Sequence, residues 1–502
     1  LPARDASTEI DATYFNPAGL SLLPKSGFFL SLNNQILGQT KTVISDYQYL
    51  NNTKYIGNVS APFFPGIYAG FKTDKFVISG GFNPIGGGGG AKYDDGLPSF
   101  EYDISDLVPS LASQGVTAYR FDRFFEGTSV FFGYQLNFTY NINDMLSVAL
   151  GGRLVTAKET YNGYLRDIEV NYNGTWTRAD YILNGLASQA TSGAALASGA
   201  AAGMQPLIDG GAGSMTFQQA QDAFLIDALT RGQLEGGLTA LGIDPTGLTL
   251  AQAQAAYQGA AVTLTEQATE ASMNARLLGD KEADAEKTGM GFTPIISVNF
   301  KPSEKLNIAL KYEHNTKLEL KNKTNKDITL AYIGTTDSVT MFPDGAKARL
   351  DVPSMISLGA TYRPVDRLMI SAGAHYFLEK NADWAGREDS LKGDFLELSL
   401  GLEYNITEKI KVSGGYVYAK SGAGPAYQTD MSYSLTSHSF GFGGAYRIND
   451  MLELNLGGLI AVYQDGEREP YHELATIPLP ITETLDKSTW IVSVGLDFYF
   501  GK

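Results

Sequence analysis

Residues 490–500 read Trp490-Ile491-Val492-Ser493-Val494-Gly495-Leu496-Asp497-Phe498-Tyr499-Phe500. In an extended strand Trp490, Val492, Val494, Leu496, Phe498 and Phe500 share one face. Ile491, Ser493, Gly495, Asp497 and Tyr499 share the other. A period of two sets one row against an apolar medium and the other against a polar interior. In lipid every backbone N–H and C=O must be paired, and strands achieve this only in a closed barrel. The segment therefore predicts an all-β transmembrane barrel.

The same alternation recurs upstream. Candidate strands fall at 27–38, 61–72, 75–86, 128–141, 145–160, 289–301, 305–321, 347–363, 367–381, 392–405, 409–420, 432–447, 451–464 and 487–500. Short polar turns at 72–75, 141–144, 301–305, 363–367, 405–409 and 447–450 join them pairwise. Six turns pair twelve strands, and the first and last complete fourteen antiparallel strands with both ends on the turn side. In 395–404 the leucines and Tyr404 face lipid, while Glu397, Ser399, Gly401 and Glu403 face the lumen. Tyr140-Asn141-Ile142-Asn143-Asp144-Met145-Leu146 is echoed by Tyr446-Arg447-Ile448-Asn449-Asp450-Met451-Leu452, which points to shared turn geometry more than to duplication.

Two segments depart from the pattern. Residues 1–26 carry no strand signal and are read as an N-terminal hatch, or plug, inside or under the barrel of residues 27–502. Residues 166–287 are rich in Ala, Gly, Gln and Ser and predict a long extracellular loop with two or more helices. Thr216 with Gln219, and Thr249 with Gln252, have capping-box spacing. A disordered loop is the competing reading.

Composition narrows the chemistry. The chain of 502 residues is 43% hydrophobic and 11% aromatic, with 56 Gly and 28 Tyr. Tyr and Phe at strand ends suit the aromatic girdles of a membrane barrel. No cysteine occurs, so disulfides and thiol catalysis are excluded. A net charge of −16 argues against nucleic acid as a partner. Acidic loops would meet divalent ions at a cell surface, or simply keep the loops soluble. No Gly-x-Ser-x-Gly run is present, and none of His314, His375, His438 and His472 lies at metal-ligand spacing from a second ligand. No enzyme activity, metal or cofactor is expected. The first residues carry no charged, apolar-centred leader, so the numbering is expected to be that of a mature chain.

Asn16-Pro17-Ala18-Gly19, preceded by Asp5-Ala6-Ser7-Thr8 and Tyr14-Phe15, resembles the N-terminal hatch of the outer-membrane long-chain fatty acid transporters, the FadL/TodX type. Phe82-Asn83-Pro84-Ile85-Gly86 with Tyr93 sits where that family's third strand is kinked. Asp351-Val352-Pro353 is similar to its leucine-proline strand start, and the closing aromatic strand matches as well. The resemblance spans the chain apart from 166–287.

It implies a monomeric barrel of the bacterial outer membrane, in contact with outer-membrane lipid, lipopolysaccharide or detergent. It also implies passive uptake of long-chain fatty acids or other hydrophobic small molecules. The ligand would be captured at external loops, held in a lumenal pocket and released laterally at the third strand. Asn16, Pro17, Ala18 and Gly19 would form the hatch, and Asn83, Pro84, Gly86 and Gly87 the lateral opening. A plain flexible loop tip is the alternative for the glycine run. Phe15, Phe82, Arg153, Lys158 and Lys311 are candidates for binding ligand, although the two lumenal cations could instead pair with Glu313, Glu397 and Glu403. A scaffold that docks other proteins through the long loop is the alternative function.

Overall fold

The computed structural model describes residues 2–333, 337–474 and 477–501. Among them, fourteen antiparallel strands form a closed barrel. They are β1 (Gly27–Ser45), β2 (Lys54–Lys72), β3 (Phe76–Tyr93), β4 (Val116–Asn143), β5 (Leu146–Tyr172), β6 (Lys281–Ser303), β7 (Leu306–Glu313), β8 (Met355–Val365), β9 (Leu368–Phe377), β10 (Phe395–Asn405), β11 (Ile410–Lys420), β12 (Ser437–Asn449), β13 (Leu452–Tyr463) and β14 (Glu483–Tyr499). Closure is made by β1, which pairs with β2 from Gly27↔Lys72 to Ile44↔Lys54 and with β14 from Phe29↔Tyr499 to Ser45↔Glu483.

Burial is inverted relative to a water-soluble protein. Leu398, Leu400 and Leu402 stand out from the wall about half exposed, as do Trp490, Val492 and Val494. On the opposite parity Asn137, Thr139, Ser147, Ser297 and Asn299 are buried. Only a surrounding apolar phase makes that arrangement favourable, so the wall spans a membrane. Among the described residues no helix is long and apolar enough to cross one.

The repeated turn sequence has a local cause. Asn143 Oδ1 accepts hydrogen bonds from the N–H groups of Met145 and Leu146, and Asn449 Oδ1 accepts one from that of Met451. In both hairpins the asparagine closes a turn beside a one-residue register shift.

Several strand limits differ from the sequence-based expectation. β4 and β5, with 28 and 27 residues, far exceed the roughly 9–11 that span a bilayer. They continue outside it, where Tyr, Thr and charged residues keep the alternation going. The expected insertion at 166–287 consequently shrinks to 173–280. The expected strand 305–321 ends at Glu313 and resumes at Glu319–Lys326, and 347–363 divides into Lys347–Arg349 and Met355–Val365. Between the pieces Asp351 takes the Leu318 N–H and the Asn315 side chain, and Pro353 has no N–H to offer a ladder.

Short helices precede the insertion, among them α1 (Ala12–Phe15) in the N-terminal segment and α2 (Pro98–Ser105) between β3 and β4. The insertion itself is a helical body. α3 (Ala179–Leu207) and α6 (Leu250–Leu277) form its long arms, with α4 (Phe217–Asp222) and α5 (Ala228–Ala240) at the far end. Both capping boxes form, at Thr216/Gln219 and Thr249/Gln252. Met204, Phe217, Leu238, Leu250 and Tyr257 give this body its own core.

Candidate functional site: a lumenal cavity beside an unpaired stretch of wall

Residues 2–26 lie inside the turn end of the barrel as α1 followed by a tight turn of helix, Pro17–Leu22. Lumenal side chains hold its backbone. Thr139 Oγ1 donates to Pro17 O at 2.8 Å, Ser147 Oγ to Ala18 O at 2.8 Å, and Gln135 and Asn137 both donate to Thr13 O. The Ala18 N–H donates to Ser297 Oγ at 2.9 Å. Asn16 donates its amide to Asn299 Oδ1 at 2.8 Å and to Ser7 O at 3.1 Å, while its own Oδ1 is buried without a partner. A Cβ on Gly19 would stand 2.3 Å from Ser7 O, so only glycine permits this chain crossing.

Charges tie the same segment to the wall. Arg4 pairs with Glu9 and Asp11 at 2.6 Å each, and Lys411 on β11 reaches Glu9 at 2.7 Å. His375 on β9 sits between Asp5 and Glu397, with Nδ1 2.8 Å from Glu397.

Next to this segment the β2–β3 ladder is interrupted. Pairing holds from Gly57↔Tyr93 to Val59↔Ala91 and resumes at Ile67↔Phe82, leaving residues 60–66 and 83–90 outside it. Pro62, Pro65 and Pro84 lie in these stretches and have no N–H to donate. On its other side β3 shifts register against β4 at Pro84/Gly86 and Gly86/Gly89. Gly87 has φ +81°, and a Cβ there would lie 2.1 Å from Ser129 O. Towards β1 the same stretch of β2 stays paired, with a register shift at Gln35/Leu37 that the Asn34 side chain bridges. Its Oδ1 accepts the Phe64 N–H at 2.9 Å, and its Nδ2 donates to Pro62 O at 3.3 Å.

A cavity of about 450 Å³ lies between this stretch and the N-terminal segment. One wall is apolar: Phe15, Phe64, Pro65, Pro84 and Ile85. The other carries Arg4 and Lys411 together with the acids Glu9, Asp11, Glu403 and Asp497. Both cations are already paired to acids, so the cavity has an apolar side and a net acidic polar side.

The residues singled out from the sequence separate into two groups. Phe15, Asn83 and Pro84 line the cavity, and Gly86 and Gly87 mark the register breaks next to it. Phe82 points to the other face, stacked on Phe132 with centroids 5.4 Å apart. Arg153 is locked by Glu313, and Lys311 donates to Glu313 and to Tyr14 O. Lys158 lies on the outward parity of β5, paired with Glu286. These three cations do not line the cavity. Arg4, Lys411 and Phe64-Pro65 do, and they were missed. Two prolines bracketing Phe63-Phe64 inside a strand pattern were the available signal.

No protein-family model matches the chain, and no curated protein matches it. Solved structures do. A FadL homologue from Pseudomonas aeruginosa superposes with a TM-score of 0.58 at 12% identity, covering 98% of this chain and 94% of that one. The toluene transporter TodX of P. putida superposes at 0.51 and 13% identity, covering 98% and 95%. At such low identity these likenesses establish the fold, a FadL-type barrel.

Proposed function

We propose that this barrel is an outer-membrane passive transporter that takes up hydrophobic compounds and releases them sideways into the bilayer. The observation that carries the proposal is the unpaired stretch of β2 and β3, whose own residues Phe64, Pro65, Pro84 and Ile85 form the apolar wall of the cavity. A missing ladder is the one place where a barrel wall can part without breaking hydrogen bonds. Lateral exit keeps an apolar solute out of water, a gain of about 0.8 kcal/mol per CH₂ buried in lipid.

In this reading residues 1–26 act as the hatch, with Asn16, Pro17, Ala18 and Gly19 as its fixed point. The orphaned Asn16 oxygen lowers the cost of rearranging it. The resemblance to fatty acid transporters and the shared fold with TodX, a toluene transporter, both support a hydrophobic cargo. Four acids around two already paired cations disfavour a carboxylate head group, so the cargo is an uncharged apolar or aromatic compound rather than a fatty acid anion. No cofactor takes part.

Ile85→Trp tests the route, because the larger side chain fills the cavity at the gap. Uptake of a labelled monoaromatic hydrocarbon by cells is expected to fall at least tenfold while the protein stays heat-modifiable on gels. Unchanged uptake with folded protein rejects lateral release. Uptake of a fatty acid in preference to the hydrocarbon rejects the uncharged cargo.

A second reading rests on the helical body. At its far end Phe224 is 95% exposed with φ 56°, beside exposed Leu225 and Leu229. That apolar tip suits a scaffold that docks another protein. Excision of 173–280 separates the two readings, since transport alone would survive it.

A further inference from the structure

Outside the membrane three loops converge on one histidine. Asp103 lies in α2 and Asp106 follows it, both between β3 and β4. His472 comes from the loop between β13 and β14. Tyr47 comes from the loop between β1 and β2. One ligand atom from each of Asp103, Asp106 and His472 lies within 4.8 Å of the others.

The histidine is fixed in place with one buried ring nitrogen left without a hydrogen bond. Its ring is fixed between Tyr47 and Tyr102, with centroids 5.2 Å from each. The residue is only 9% exposed. Its Nε2 lies 2.9 Å from Asp106 Oδ2 yet makes no hydrogen bond, so the oxygen sits off the ring's N–H axis. A buried imidazole nitrogen is rarely left in that state. Asp106 is itself oriented from behind, because the Tyr47 hydroxyl donates to its Oδ1 and leaves Oδ2 directed at the histidine. A ligating carboxylate fixed by an outer hydrogen bond is the usual construction of a metal site.

We propose that Asp103, Asp106 and His472 bind a first-row divalent cation of the zinc type, which clamps the 94–115 loop to the 464–482 loop across the external mouth. An imidazole with two carboxylates suits Zn²⁺ or Co²⁺, whereas Ca²⁺ and Mg²⁺ prefer sites built wholly of oxygen. A tetrahedral Zn²⁺ has bonds of about 2.0–2.2 Å to such ligands. Asp103, the exposed member, closes the remaining distance by a side-chain rotation, and water fills the fourth position. Asp103 and Asp106 are separated from His472 by most of the chain, so no sequence spacing could reveal the trio. The site stands apart from the lumenal cavity and does not depend on what is transported.

The test uses full-length protein in detergent, stripped with chelator and titrated with ZnCl₂ by calorimetry. One tight site per chain is expected, weakened at least tenfold in His472→Ala and in Asp103→Asn, and unchanged in His314→Ala. Co²⁺ should give the intense visible bands of a tetrahedral complex in the parent and not in His472→Ala. Zn²⁺ should also protect the 464–482 loop from protease. Asp103→Asn alters an exposed side chain, so it remains informative should His472→Ala not fold. Equal Zn²⁺ affinity in His472→Ala and the parent would overturn the proposal. Displacement of Zn²⁺ by equimolar Ca²⁺ or Mg²⁺ would overturn it too, because that is the behaviour of a diffuse acidic surface.

Discussion

Arg153 on β5 grips Glu313 on β7 with two parallel hydrogen bonds, Nη1 to Oε2 at 2.7 Å and Nη2 to Oε1 at 2.8 Å. Both side chains are buried, and Lys311 adds a third contact to the same carboxylate at 2.8 Å. Removing one partner of a buried pair strands the other charge and costs about 3–5 kcal/mol. Arg153→Met is expected to fall at the low end, because Lys311 still neutralises Glu313. Glu313→Gln strands two cations and should destabilise more. Heat-modifiability on gels ranks the two variants. Ligand affinity should stay the same in Arg153→Met, since the guanidinium does not line the cavity.

Asn16 links the N-terminal segment to itself and to β6 through Ser7 and Asn299. Loss of two hydrogen bonds at about 0.5–1.5 kcal/mol each should free the segment without unfolding the wall. Asn16→Ala is expected to raise protease cleavage within 1–26 and to change uptake, with an unaltered β-sheet circular dichroism spectrum. Gly19→Ala should do the same more severely, because its methyl collides with Ser7 O. A fall in barrel melting without new cleavage would make the turn purely structural.

Most of the barrel was legible because lipid enforces a strict period of two. In β10 each residue's face follows from its parity, and one slip would put Glu403 in hydrocarbon. The membrane-facing core of each of the fourteen strands was therefore placed. Several outer ends were not, because water beyond the bilayer removes the penalty that sharpens the pattern, as in β4 upstream of 128 and β5 beyond 160. The N-terminal segment was legible as an exception to the alternation. The cavity was legible only in part. Proline and glycine mark Asn83–Gly87 as a break, but Arg4 and Lys411 meet through folds of the chain that no local spacing encodes.

Glu379 lies in a short turn, Glu379–Asn381, outside the membrane. Burial pushes its carboxyl up to about 7, and the nearby Asp394 adds to the shift. The ordinary Glu value is about 4.3. The closed loop thus holds this proton more tightly than the open one does. Its stabilisation is complete below about 4.3 and is lost as pH rises through about 7. Protease cleavage within 378–394 is expected to increase between about pH 5 and about pH 8. Glu379→Gln should flatten that dependence and leave the loop resistant at both ends. An unchanged profile in the variant would assign the effect to another group.

Pro65 on β2 and Pro84 on β3 lie where the β2–β3 ladder is interrupted, and neither has an N–H to donate to it. Replacing both with valine supplies two donors and a β-branched residue that favours pairing. Each new hydrogen bond is worth about 0.5–1.5 kcal/mol, so Pro65→Val with Pro84→Val should raise the melting temperature. The same change should lower uptake, because the closed ladder must then break for each passage. Opposite signs on stability and transport distinguish a gate from a damaged fold, since a misfolded variant would lose both. Thermal melts in detergent and whole-cell uptake of the same hydrocarbon probe give the two readings. Higher stability with full uptake would show that cargo leaves by another path.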